Sequence, residues 1–179
     1  MHERDLKGAY NLLVNCGQAC EGERLLLCYE QKNLDFYDNA IVEDVWACAQ
    51  EIGLEVIPYE LDFDPVIDVV PKHLEAAIAA ADLTVFLARL ADQMRFGRFK
   101  SGQRTILSYA LNSASLASPF GTVHYKASLA LKQVIDAAVF GASEVVVSCK
   151  AGTYFKGRIA ASPDGGDSDL RRFPMLVNT

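Results

Sequence analysis

Short apolar runs alternate with amphipathic stretches along almost the whole chain, and this alternation constrains the fold more than any single residue does. Arg24-Leu25-Leu26-Leu27-Cys28-Tyr29 is a continuous apolar run, the pattern of a strand covered on both faces. Before it, Leu6, Tyr10, Leu13 and Val14 recur at helical spacing and Gly17 follows, so about Arg4 to Cys16 reads as a helix with a glycine C-cap. After it, Ile41, Val45, Cys48, Ala49 and Ile52 form one helical stripe, with Asp35 or Asp38 as a cap and Gly53 as a stop. Leu54 to Tyr59 reads as a second strand. Pro71 opens a third helix whose inward face is Leu74, Ala77, Ile78 and Ala81.

The pattern continues with Leu83 to Leu87 as a third strand and Thr105 to Ser108 as a fourth. A long helix is expected over about Tyr125 to Phe140, burying Ala127, Leu131, Val134, Ile135, Ala138 and Val139, with Gly141 as its stop. Glu144 to Cys149 reads as a fifth, valine-rich strand. Strands alternating with helices imply a mostly parallel sheet with helices on both faces. Right-handed crossovers turn that into a three-layer, Rossmann-like α/β sandwich with about five strands. The tail differs: Gly157 to Ala160 and Leu170 to Val177 read as an antiparallel hairpin around Pro163-Asp164-Gly165-Gly166-Asp167, which is turn chemistry. The expectation is one α/β domain over residues 1–179, with a hairpin appendage at about 152–179.

Composition sets the boundaries of function. The chain has 179 residues, 51% of them hydrophobic, and a net charge of −6, enough apolar material for a core on both sides of a sheet. The acidic balance argues against nucleic acid or anionic membrane as a general partner. The apolar stretches are too short to span a bilayer, and the polar start Met1-His2-Glu3-Arg4-Asp5 has no signal-peptide core, so a cytoplasmic location is expected. Five scattered cysteines, Cys16, Cys20, Cys28, Cys48 and Cys149, do not form a disulfide framework. Cys28, Cys48 and Cys149 are expected as buried small hydrophobes, whereas Cys16 and Cys20 flank a helix end.

Open α/β sheets bind ligands beyond the carboxyl ends of their strands. Tyr29-Glu30-Gln31-Lys32-Asn33, after the first strand, has no glycine-rich turn, so neither a dinucleotide fingerprint nor a phosphate loop is present. Asp62, Asp64 and Asp68 lack the glycine and distal glutamate of a calcium loop and read as solvated carboxylates. His2, His73 and His124 lie on separate elements, with no i, i+4 pair for zinc. No nucleophile elbow exists. No metal ligand, catalytic residue or cofactor is therefore assigned. The segment Arg89 to Arg104 stands apart, with five basic residues (Arg89, Arg95, Arg98, Lys100, Arg104) against Asp92, and Phe96 and Phe99 interleaved. Guanidinium forks hold carboxylates and aromatic rings supply anchors. A solvated loop that packs on another domain or subunit is the plainer reading. Ser118 to His124 enters the long helix, where Thr122 is a possible cap and free N–H groups could hold a carboxylate.

Phe86-Leu87-Ala88-Arg89-Leu90-Ala91-Asp92-Gln93-Met94-Arg95-Phe96, together with Ser108-Tyr109-Ala110-Leu111 through Ala117-Ser118-Pro119-Phe120-Gly121-Thr122, resembles the N-terminal half of aminopeptidase T-type metallo-aminopeptidases, an architecture shared with 2,5-dihydroxypyridine dioxygenase. The metal ligands of that family come from the other half, so none is carried over. The resemblance implies a truncated, non-catalytic homologue, a homodimer, and kinship with the stand-alone peptide-binding proteins of crocagin-type ribosomal peptide biosynthesis. The leading expectation is a module that binds a precursor peptide, with Arg89, Asp92, Gln93, Arg95, Phe96, Arg98, Phe99, Tyr109, Ser118, Thr122 and His124 as candidate contacts. Tailoring enzymes are possible further partners. The alternatives are a metal-dependent amide or peptide hydrolase, or a fragment of one, and a dimeric scaffold that docks on a tailoring enzyme.

Overall fold

The computed structural model describes residues 5–67, 69–93, 104–158 and, through their backbone, 176–178. The chain begins with a short helix α1 (Lys7–Tyr10) that widens into a π-helical turn over Asn11–Cys16. Strand β1 (Arg24–Glu30), a 3₁₀ turn at Lys32–Leu34, helix α2 (Asn39–Ile52) and strand β2 (Glu55–Leu61) follow. Then come α3 (Lys72–Ala80), β3 (Leu83–Leu87), α4 (Arg89–Gln93) and β4 (Arg104–Leu107). The last part holds α5 (Ser113–Ala117), α6 (Pro119–Thr122), α7 (Tyr125–Phe140), β5 (Val145–Ser148), β6 (Tyr154–Gly157) and β7 (Leu176–Asn178).

The main sheet has the order β2-β1-β3-β4-β7. Its first four strands are parallel, with Leu26 beside both Ile57 and Thr84, and Val85 beside Ile106. The edge strand β7 runs antiparallel to β4. Successive side chains of β1 point to opposite faces, and all four from Leu25 to Cys28 are buried. Leu25 and Leu27 join Leu12, Leu13, Ile41, Val45, Val85 and Leu116 on one face. Leu26 and Cys28 join Leu74, Ile78, Phe86 and Leu107 on the other. The three-layer α/β class expected from the sequence is the one observed. Helix ends follow their local chemistry. The Asp38 carboxylate accepts from the Ala40 N–H at 3.0 Å, and Gly53 closes α2 at φ +85°, a conformation that glycine takes without a Cβ clash. Pro71 sits at the cap position, one residue before α3 begins.

The C-terminal third departs from the expected arrangement. The valine strand does not enter the main sheet. β5 pairs antiparallel with β6 in a separate two-stranded sheet, Val145 beside Gly157 and Ser148 beside Tyr154. The local turn explains this: the Cys149 N–H donates to the Thr153 carbonyl at 3.0 Å, and Gly152 takes φ +96°. The stretch Lys150-Ala151-Gly152 is thus a hairpin tip, and the short range of that pairing wins over insertion into the sheet. Gly157, expected to begin a hairpin with Leu170 to Val177, pairs with Val145 instead, while Leu176–Asn178 joins the main sheet beside β4. The proposed tip at Pro163 to Asp167 lies outside the described residues.

Helix α7 forms where expected, but none of its residues is fully buried, and the apolar stripe expected to face inward is exposed. Leu131 is 62% exposed, Val134 68% and Ile135 51%. With β5 drawn into its own hairpin, the helix has no sheet face to cover. Cys149 is likewise exposed rather than buried, whereas Cys16, Cys28 and Cys48 are buried. Burial pushes the Cys28 thiol up, and burial with the Glu51 charge pushes Cys48 up to about 11.

The elements before α7 are packed tightly. A Cβ built on Gly8 or on Gly121 would lie 1.9 Å from the Leu116 carbonyl oxygen, so both glycines are sites of close backbone approach. Gly121→Ala is expected to destabilise the protein by ~1–3 kcal/mol, the usual penalty of overpacking. Urea unfolding reads this as a lowered midpoint, and an unchanged midpoint would show that the two segments separate freely.

Candidate site at the carboxyl ends of the parallel strands

The strand order places β1 between β2 and β3, with α2 packed on one face of the sheet and α3 on the other. The two crossovers therefore leave in opposite senses, and a switch point opens beyond the carboxyl ends of β1 and β3. Glu30 is the last residue of β1, and Arg89 stands two residues after the end of β3. They meet across the switch point. The Glu30 carboxylate is 5% exposed as a residue. It accepts from the Arg89 backbone N–H at 2.5 Å, from Nε at 3.0 Å to each oxygen and from Nη2 at 2.8 Å. A buried carboxylate held in this way is compensated in charge and fixed in direction.

Two loops bring aromatic rings onto the guanidinium. Its central carbon lies 3.7 Å from the Phe63 ring centre and 4.4 Å from that of Phe36, within cation–π range. Phe36 meets Tyr37 edge-on at 5.4 Å. The Tyr37 hydroxyl donates to the Ser108 carbonyl at 3.3 Å, just beyond β4. Burial pushes the Tyr37 phenol above its ordinary range. The charges of Glu30, Asp92 and Tyr109 push it the same way, and Arg89 opposes them. On α4, Asp92 accepts from the Tyr109 hydroxyl at 3.3 Å, and Gln93 Nε2 donates to the Asp64 carbonyl at 2.9 Å. The Gln93 Oε1 is buried and has no hydrogen-bond partner among the described residues.

Of the residues singled out in the sequence, Arg89, Asp92, Gln93 and Tyr109 thus come to one end of the sheet. Arg89 is engaged by Glu30 rather than standing open as a fork. Arg104 belongs to the opposite, amino end. It donates to the Gly17 and Gln18 carbonyls and pairs with Glu23 at 2.6 Å. Arg95, Phe96, Arg98, Phe99 and Lys100 lie outside the described residues, as does Asp68. Ser118, Thr122 and His124 have local bonds. Ser118 Oγ donates to Ser115 O, Thr122 Oγ1 donates to Ser118 O, and His124 Nδ1 accepts from the Lys126 N–H. His124, not Thr122, is therefore the cap of α7. Sequence reasoning missed Glu30, Phe36, Tyr37, Phe63 and Ser108. The available signal was a lone acid closing an otherwise apolar strand at a ligand-bearing end.

The assembled end offers aromatic surface, an amide and a phenol around an electroneutral ion pair. Ring contacts and a few hydrogen bonds are the means by which such an end can hold a ligand. Among the described residues, no cluster of three or more His, Cys, Asp or Glu side chains could hold a metal ion. No described helix is long and apolar enough to cross a membrane.

No protein-family model matches the sequence, and no curated protein matches it. The structure is similar to that of 2,5-dihydroxypyridine dioxygenase from Pseudomonas putida KT2440, with a TM-score of 0.50 and 15% identity. That match covers 87% of this chain and 47% of the dioxygenase chain, so the chain spans about half of that protein's length. It also matches a fatty acid ABC transporter substrate-binding protein from Thermomonospora curvata, at a TM-score of 0.37 and 22% identity over 66% of this chain and 31% of the other, a superposition too loose to bear on the fold. The first similarity supports the α/β architecture and carries no activity with it.

Two outcomes are expected at this site. Arg89→Met leaves the buried Glu30 charge uncompensated and is expected to cost about 3–5 kcal/mol in urea unfolding, most of it recovered when Glu30→Met is added. Tyr37 favours its neutral form in the folded state. Its contribution is therefore present below the ordinary tyrosine pKa of about 10 and lost as pH rises above it. Tyr37→Phe is expected to flatten the fall of stability with alkaline pH, measured by denaturant midpoints between neutral and strongly basic pH.

Proposed function

We propose that this chain is a peptide-binding accessory protein rather than a catalyst, and that its ligand lies across the carboxyl ends of β1, β3 and β4. The observation that carries the reading is the Glu30–Arg89 pair at the switch point, fixed by four hydrogen bonds and faced by Phe36 and Phe63. It makes a rigid, uncharged floor on which side chains of an extended ligand can stack. Tyr109, Asp92 and Gln93 supply polar contacts at its rim. The basic residues that follow Gln93 in sequence, Arg95 and Arg98 among them, suit an acidic or C-terminal group. The motifs that resemble the N-terminal half of aminopeptidase T-type proteins support a biosynthetic precursor peptide as the ligand. A homodimer, tailoring enzymes as further partners and a cytoplasmic location belong to the same reading.

Calorimetric titration with acidic-ended peptides, including precursor peptides of ribosomal origin, tests it. A defined stoichiometry is expected, with affinity reduced about tenfold or more by Phe63→Ala and by Arg95→Ala. No heat with any such peptide, or variants that bind as tightly as the parent, would overturn it. A stoichiometric transition metal in the purified protein would redirect the assignment to the metallohydrolase alternative.

A further inference from the structure

Strand β4 is built as an interior strand. Thr105, Ile106 and Leu107 are all buried, so its main-chain groups need partners on both edges. β3 fills one edge. The chain's own β7 fills the other, with Leu176 beside Leu107, Val177 beside Ile106 and Asn178 beside Thr105. That pairing differs from the rest of the sheet. It is antiparallel, whereas β2, β1, β3 and β4 are parallel to one another. It also extends over three residues, whereas β1 pairs with β2 over seven. A long stretch of chain joins it to β6, which ends at Gly157.

We propose that the place beside β4 is a slot for an extended peptide, held in cis by β7 and given up to the ligand by strand exchange. The proposal rests on the peptide-binding reading, and adds where the ligand's backbone lies and what competes with it. Two observations favour exchange at this edge. An incoming strand replaces the main-chain bonds of β7 one for one, so no buried donor or acceptor of β4 is left unpaired. The pairing to be displaced is short. The opposite edge of the sheet, by contrast, is closed to addition. Its strand β2 carries an exposed Pro58 in the middle and exposed Glu55 and Glu60 towards its ends. Proline has no N–H to give and sits in sheets where that side faces outward, and charges along an edge oppose pairing.

The register of β7 gives the ligand its direction. Leu176 lies beside Leu107 at the carboxyl end of β4, and Asn178 lies beside Thr105 nearer its start. A peptide in the same register carries the residues before its paired stretch past Leu107. There it meets Ser108, whose carbonyl accepts from Tyr37, and Tyr109, whose hydroxyl donates to Asp92. Arg89 follows the neighbouring strand β3. The slot thus takes the later residues of the ligand, and the ring-faced end of the sheet takes the earlier ones. Three successive β-branched or aromatic residues suit the slot. In cis, β7 also sets a threshold. A tethered strand competes at a high effective concentration, and a slot open about one-tenth of the time weakens a peptide ~tenfold.

A reversible lock tests the proposal. Directly opposite residues of an antiparallel pair have Cα atoms about 4.5–5.5 Å apart, within disulfide reach, so Thr105→Cys with Asn178→Cys can fasten β7 in the slot. The probe is an acidic-ended peptide that gives heat with the unmodified protein. The oxidised double variant is expected to bind it ~tenfold or more weaker than the reduced form of the same protein. Asn178→Cys alone is expected to bind equally in both redox states. A second variant opens the slot instead. Successive N–H groups of a strand point to opposite sides, so Leu176→Pro with Val177→Pro removes a donor to β4 in either pairing pattern, and tighter binding than the parent is expected. The two tests share no substitution, so a misfolded protein in one leaves the other to decide. Equal binding by the locked and unlocked forms, a cysteine pair that does not oxidise, or a proline variant that binds no tighter overturns the slot and leaves peptide binding standing. No heat with any peptide overturns both.

Discussion

Strand β1 is the constraint on which the rest of the body depends. Its four consecutive buried residues, Leu25 to Cys28, divide between two cores. The strand must be flanked by β2 and β3 and covered by helices on each side, because every polar group of its backbone needs a partner where no water reaches. Placing β1 in the interior of the sheet forces the crossovers to opposite faces. The switch point, and with it the meeting of Glu30 and Arg89, follows from that placement rather than from any local motif.

The pair then organises the end of the sheet. Glu30 is a charge at a nearly buried strand end, tolerable only because Arg89 satisfies it through side chain and backbone together. The guanidinium in turn has aromatic faces beside it, and those faces come from loops that contribute little to either core. The rings of Phe36 and Phe63 are thus placed by the ion pair that they cover rather than by either core.

Legibility in the sequence follows the range of the interactions. β1, α2, α3 and β3 were readable because apolar periodicity and caps such as Asp38 and Gly53 lie within a few residues of the elements they define. The site was half readable: Arg89, Asp92, Gln93 and Tyr109 flag themselves by type and by position after strands. Glu30 did not, since its partner lies 59 residues away and only the strand order brings them together. Phe36 and Phe63 sit in turns where a ring has no periodic signal. The valine-rich β5 misled for the opposite reason. Its composition suits a buried parallel strand, yet the Gly152 turn offers a nearer partner, and a short loop costs less entropy to close than a long one.

That choice of partner has a consequence for the whole chain. Had β5 entered the main sheet, α7 would have covered it, and the apolar stripe from Leu131 to Val139 would have joined a core. Because β5 turns back on itself, helix and hairpin keep their apolar residues but lose the surface those residues were patterned to meet. The body is closed on both faces of its sheet, whereas most apolar residues of α7 and the β5–β6 hairpin stay exposed. Apolar patterning of this kind is stabilising only when water is removed from it.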